Sequence, residues 1–195
     1  MSPLNRGSSR ADIPCMDPDA ADAPVLLAEM LRTSVAPALR ELGLRGSGQS
    51  YRLTNAGGDH ALLGIQKSVA SSRSAALLTV NLAYFPGADW DAAHAAGQVA
   101  ARPTASARWI PSGWQTRIGL LVDEPHDHWL TVRSPADVSV VSAHLLALVR
   151  DLALPQLTAR LTGATPPPVP VAPAGDRPRV CPWPELCGLR WPPDA

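Results

Sequence analysis

The sequence predicts an α+β domain, an antiparallel sheet of about four to six strands packed against an N-terminal and a C-terminal helix. Three observations carry this. Apolar residues recur at spacings of three and four over residues 27–42 and again over 138–152, the period of a one-sided helix. Residues 77–84 alternate between the two faces of a strand instead. Asn55-Ala56-Gly57-Gly58 separates two strand-like runs by a length suited to a hairpin, which makes those strands antiparallel. Helix, antiparallel strands, helix is an α+β layer pattern.

The first helix sets Leu27, Leu31, Val35, Ala38, Leu39 and Leu42 on one face. Asp22 is positioned to cap its free amides, and Pro24 fits the first turn. Pro37 lies inside it and should kink it by removing one ladder bond. Gly43 and Gly46 should end it. Strands are predicted at Ser50–Thr54, 59–68 and 73–85. In the last, Leu78, Val80, Leu82 and Tyr84 point one way, and Leu77, Thr79, Asn81 and Ala83 the other. Residues 86–107, rich in Ala and Gly, read as a long connection with about one helical turn. Shorter strands are predicted at 108–110, 117–122 and 128–133.

The last helix has the clearest signals. Ser134-Pro135-Ala136-Asp137 supplies a hydroxyl cap, a first-turn proline and an acid at the third helical position. Val138, Val141, Leu145, Leu148 and Leu152 trace its buried face until Pro155 should stop it. A short helix through Leu157 and Leu161 then closes the domain at Gly163. Residues 1–21 lack any helical or strand period and read as a disordered leader. Residues 164–195 contain ten prolines and read as a Pro-rich disordered tail. The single domain is therefore assigned to residues 22–163.

Composition excludes several classes. Seventeen basic and seventeen acidic side chains cancel in the 195 residues, and Lys67 is the one lysine. A neutral chain does not coat nucleic acid or an anionic membrane surface. No run of about 18 wholly apolar residues is present, so no membrane partner is expected. The opening residues lack an apolar signal core and three cysteines make no disulfide framework, which points to the cytoplasm.

Motifs for chemistry are sparse. Asp123-Glu124-Pro125-His126-Asp127-His128 gathers ligand-capable side chains, but further ligands would have to come from elsewhere, so no metal is expected. Cys181 and Cys187, with five residues between them, do not form a zinc-knuckle pair. No nucleophile elbow, zinc-protease helix or Walker loop occurs. The Gly-rich stretch 43–50 follows a helix and precedes a strand, the reverse of a phosphate cradle. No cofactor is expected. A polar row remains: Gln66 and Ser68 share one strand face, and Thr79 and Asn81 share the face away from the apolar residues of the next strand. Antiparallel pairing would bring all four together on the side opposite the helices. Ordinary polar alternation on a solvated sheet face predicts the same pattern.

The order of these features resembles the bacterial family known as domain of unknown function 4304. The residues that carry the likeness are Leu42-Gly43-Leu44, Gln66-Lys67-Ser68, Val80-Asn81-Leu82-Ala83, Arg117-Ile118-Gly119 and Asp127-His128-Trp129-Leu130. Leu44 replaces the family's aromatic, Ala83 its glycine and Leu130 its second tryptophan. The resemblance implies an α+β domain and supplies no reaction. It raises Gln66, Asn81, Arg117 and Trp129 above the other polar residues, so the candidate binding residues are Gln66, Ser68, Asn81, Arg117 and Trp129.

The expected function is a non-catalytic binding or interaction module for a protein partner or small polar ligand. An immunity or accessory factor beside a bacterial effector is one such role. The alternative is an enzyme acting on a phosphorylated or nucleotide substrate, with Arg117 and Lys67 holding the anion.

Overall fold

A computed structural model describes residues 22–122 and 127–170. The leader assigned to 1–21, the run 123–126, and the tail segment holding Cys181, Trp183, Cys187 and Trp191 lie outside the described residues.

The described residues open with α1 (Ala23–Met30), a π-helical turn (Leu31–Val35) and α2 (Ala36–Glu41). Leu27, Leu31, Val35 and Leu39 are buried, as their spacing predicts. The capping expected of Asp22 is not made by its side chain. Its carbonyl accepts the amides of Val25 and Leu26, and the Ala23 amide donates to Arg73 O. Gly43 ends α2 with φ +88°. Its amide donates to Arg40 O and that of Leu44 to Leu39 O, the paired closing bonds that a left-handed glycine permits.

Six strands form one antiparallel sheet: β1 (Arg45–Ser47), β2 (Ser50–Thr54), β3 (His60–Lys67), β4 (Ala76–Phe85), β5 (Trp114–Arg117) and β6 (Leu130–Val132). They run in the order β1-β2-β3-β4-β5, and β6 also pairs with β4. Thus β4 meets β3 along one edge, and β5 and β6 divide its other edge. A short 3-10 helix, Ile118–Leu121, leaves β5.

Three strand predictions need correcting. The Gly-rich 43–50 stretch contains β1, which turns directly into β2 with Ser47 opposite Ser50. Residues 108–110 form no strand; β4 already has partners on both edges. Residues 117–122 hold only the end of β5 before the 3-10 turn. Ile118 and Leu121 are buried while Leu120 is exposed, a three-residue period that resembles alternation in so short a run.

The last helix begins as its signals require. The Asp137 carboxylate accepts the amides of Arg133 and Ser134 at 2.7 and 2.9 Å. These backbone bonds, Arg133 first, hold its carboxyl below the usual aspartate range. The predicted stop at Pro155 is absent. Instead α4 (Pro135–Leu148), a second π-helical turn (Val149–Ala153) and α5 (Leu154–Thr162) run on as one helix of 28 residues. The π turn also rotates the buried face, so Val149, Ala153 and Leu157 are covered while Leu152 is only half-buried. By length and composition this helix could cross a membrane, a property hidden when the sequence is divided at Pro155. Leu145, Leu148, Val149 and Leu157 are instead buried in the main core.

That core lies between the two long helices and one sheet face, where Leu63, Ile65, Leu78, Val80 and Leu82 are covered. The opposite face is not simply solvated. Residues 86–107 contain α3 (Gly87–Ala95), a nine-residue helix. Its Trp90 packs on Phe85, Leu62, Ala83, Ala105 and Ile110 as a second, smaller core. Only Gly87 and Trp90 are buried in α3, so no apolar stripe announces the helix.

Asp59, after the β2–β3 turn, joins the layers. Its carboxylate accepts the Gly87 amide (2.9 Å), the Asn55 side chain (3.0 Å) and the Tyr84 hydroxyl (3.1 Å). Asn55 also donates to Leu161 O in α5 (2.9 Å). The Gly87 amide, with Asn55 and Tyr84, lowers the Asp59 pKa below its ordinary value.

Two stability measurements check these assignments. Leu145, 1% exposed, should lose about 2–5 kcal/mol on truncation to alanine in a denaturant melt. Val140→Ala, at a site 68% exposed, should stay within about 0.5 kcal/mol. Asp59→Ala should cost about 1–3 kcal/mol, because it strips acceptors from three donors. Since the native Asp59 pKa is depressed, its contribution is complete above the unfolded value of about 3.9 and disappears as pH falls through the lower folded value. Asp59→Asn should therefore flatten this part of the acid limb of stability against pH.

Candidate functional site

The second sheet face is only partly roofed. A strap of residues 104–107 lies across β3 and β4, held at three points. Gln115 Nε2 donates to Ala107 O at 2.9 Å and to Ala105 O at 3.4 Å. Asn81 Nδ2 donates to Ser106 Oγ at 3.2 Å. Gly64 permits the third contact, since a Cβ there would lie 2.9 Å from that of Ala105. Beyond the strap the floor is polar.

Strand register places the floor. In β4, Asn81 faces Gly64 of β3 on one side and Arg117 of β5 on the other. Gln66 is two residues along from Gly64, so it shares that face. Asn81 Nδ2 donates to Gln66 Oε1 at 2.8 Å. Both Asn81 amide protons are thereby used, leaving Asn81 Oδ1 as an acceptor and Gln66 Nε2 as a donor with no partner among the described residues. Thr79, also on this face, is buried and donates to His128 O at 2.9 Å, anchoring the segment before β6.

Arg117, at the end of β5, supplies the cleft's charged wall. Its Nη1 meets both carboxylate oxygens of Asp127 at 2.6 Å. Trp129 Nε1 donates to Asp127 Oδ2 at 3.1 Å, and the Arg117 guanidinium lies 5.5 Å from the Trp129 ring. The open cleft beside them measures about 540 Å³, with Gln66, Asn81, Ser106, Gln115, Arg117, Leu120 and Asp127 among its lining residues. A second cleft of about 370 Å³ shares Gln66, Asn81, Ala105 and Ser106 and continues past Gly64 to Gln49 and Ser50. The two make one trough across the sheet.

Of the five sequence-nominated residues, Gln66, Asn81 and Arg117 line this cleft, and Trp129 borders it through Asp127. Ser68 is elsewhere. It lies beyond the end of β3, where its hydroxyl accepts the Ala70 amide at 3.1 Å and shapes the turn into the next loop. Sequence reasoning did not nominate Ser106, Gln115 or Asp127 for this site. Gln115 was accessible in principle, two residues before Arg117 and therefore on the same strand face. Ser106 gives no periodic signal. Asp127 belongs to the acidic and histidine-rich run weighed for metal, of which 123–126 lie outside the described residues. His128 stacks edge-on with His144 at 5.7 Å. Among the described residues no group of three potential ligands could hold a metal ion.

The cleft therefore offers hydrogen-bond donors and acceptors, one cation matched by one carboxylate, and apolar edges at Leu120 and Trp129. These groups sit on one face of the α+β sheet. Residues 35–159 match the family described as Domain of unknown function (DUF4304), and the chain belongs to that family. No curated protein and no solved structure matches it.

The two central polar residues should behave differently in chemical denaturation. Asn81 is 9% exposed, and Asn81→Ala removes its hydrogen bonds to Gln66 and Ser106, so a loss of about 1–3 kcal/mol is expected. The Arg117–Asp127 pair is 31% and 47% exposed, so Arg117→Ala should cost no more than about 1 kcal/mol.

Proposed function

We propose that this domain is a non-catalytic binding module that takes a small polar ligand, or a loop of a protein partner, in the trough beside the strap. One observation carries the reading: an unspent amide donor and acceptor, Gln66 Nε2 and Asn81 Oδ1, stand beside Arg117 in an open cleft. Amides bonded to each other on neighbouring strands, as buried Asn81 and half-buried Gln66 are, can meet hydrogen-bonding groups with little reorganisation. The planar Arg117 fork adds directional charge recognition, and the ring of Trp129 adds a flat apolar edge. A cytoplasmic immunity or accessory factor would act in this way, by occupying a partner rather than by breaking a bond. The alternative of an enzyme for phosphorylated or nucleotide substrates asks for surplus positive charge. Among the described residues lining the larger cleft the cation, Arg117, is already matched by Asp127, and Lys67, at the end of β3, lines only the second cleft.

The test is affinity capture on the full-length chain from its native host, with mass spectrometry of protein and small-molecule eluates. Arg117→Ala should keep the wild-type melting temperature to within a few degrees, about 1 kcal/mol or less. Gln66→Ala should stay folded with a loss of about 1–3 kcal/mol, because it removes an acceptor from buried Asn81. Both should lose the captured species. Full capture by both folded variants would overturn the proposal.

A further inference from the structure

We propose that Asp127 is a built-in stand-in for ligand, and that the cleft takes a planar carboxylate flanked by an amide. This inference rests on the binding reading above. Arg117 and Asn81 are directly opposed across β4 and β5, which sets their Cα atoms about 5 Å apart and puts both side chains on the cleft. The Arg117–Asp127 contact uses a single nitrogen, Nη1, for both carboxylate oxygens. A guanidinium binds carboxylate best through two parallel bonds from two nitrogens. Asp127 thus occupies the anion subsite in the weaker of the two geometries. It is also 47% exposed, so water and salt lower the cost of removing it.

The chemistry of the incoming group follows from what Asp127 would leave behind. Displacing it uncovers one positive charge, which one carboxylate neutralises. A phosphate monoester carries up to two negative charges and would be under-matched. Next to that charge, Gln66 Nε2 can donate to a carbonyl and Asn81 Oδ1 can accept from an N–H. A carbonyl acceptor and an N–H donor are the two polar groups of an amide, and in a trans amide they leave opposite edges. An acylated amino acid and the C-terminus of a peptide both present this pair next to a carboxylate. The shared chemistry is the claim. Leu120, 37% exposed at the cleft edge, gives a substituent an apolar surface.

Trp129 supplies a reporter, because its indole N–H is bonded to the same Asp127 oxygen that would move away. Full-length protein labelled with nitrogen-15 is titrated with N-acetylalanine, N-acetylalaninamide and inorganic phosphate while the Trp129 indole resonance is followed, assigned through Trp129→Phe. N-acetylalanine should move it, and the neutral amide and phosphate should bind at least about tenfold more weakly. Asp127→Asn keeps an acceptor for the indole but removes the competing charge, so it should tighten N-acetylalanine by about fivefold or more. Arg117→Lys keeps the charge without the fork and should lose most of the affinity.

Equal affinity in wild type and folded Asp127→Asn would overturn the stand-in role. Should that variant not fold, wild-type affinity in Arg117→Lys would overturn the forked recognition instead. Phosphate or the neutral amide binding as well as N-acetylalanine would overturn the ligand class. If no probe moves Trp129 but host capture still depends on Arg117, this inference falls and the binding module stands. If capture is also indifferent to Arg117, both fall. Comparing a free acylated amino acid with a tetrapeptide ending in alanine then separates a small metabolite from a protein C-terminus as the source.

Discussion

Strand β4 and its register are the constraint on which the rest of the molecule depends. It is buried on both faces and paired on both edges, so neither its neighbours nor its phase can change alone. In this register Leu78, Val80 and Leu82 enter the helix-packed core while Asn81 and Ala83 face the other side. A slip of one residue would drive Asn81 into the main core and lift leucines into the polar cleft. The pairings Asn81–Gly64 and Asn81–Arg117 come from this same ladder. Core and candidate site are consequently set by one choice of phase, and neither can be repositioned without disturbing the other.

The helical layer solves a different problem. Both long helices contain an interior proline, Pro37 or Pro155, and both have a π-helical turn ending two residues before it. A proline in a regular helix lacks its N–H and crowds the preceding turn. Widening that turn provides room, and it adds a residue to the turn, which shifts the side-chain phase downstream. Val149, Ala153 and Leu157 consequently take over the buried face that Leu145 and Leu148 occupy before it. Proline thus acts here as a phase adjuster inside a continuous element.

Much of this fold was legible in the sequence because one-sided burial leaves a periodic trace. The face of the first helix, the limits of β2, the two faces of β4 and the Ser134–Asp137 helix start all follow from spacing and capping chemistry. What escaped lacks such a trace. Helix α3 is anchored mainly by Trp90, β1 is three exposed residues held by backbone pairing, and the proline-tolerant turns depend on backbone geometry that composition does not encode. The site divides in the same way. Gln66 and Asn81 are set by strand parity, and Arg117 and Trp129 were raised by family likeness. Ser106 and Asp127 reach the cleft on irregular segments whose path is set by tertiary contacts. Ser68 shares the parity of Gln66 but lies past the end of its strand, where parity no longer fixes direction.

The bond from Asn55 to Leu161 O spans 106 positions of chain, and this has a consequence for how the polypeptide acquires its shape. Strands β1 to β4 are consecutive neighbours joined by short reversals, so they close only small loops and can pair early. Their apolar face, with Leu63, Ile65, Leu78 and Val80, is left without part of its cover until the final helix has left the ribosome and docked. Emerging chains therefore pass through an interval in which a sticky half-sheet awaits the whole stretch from the end of β4 to the end of α5, at a synthesis rate of about 5–20 residues per second. The Asn55–Leu161 bond forms only when that helix arrives, which makes it the latch that ends the interval.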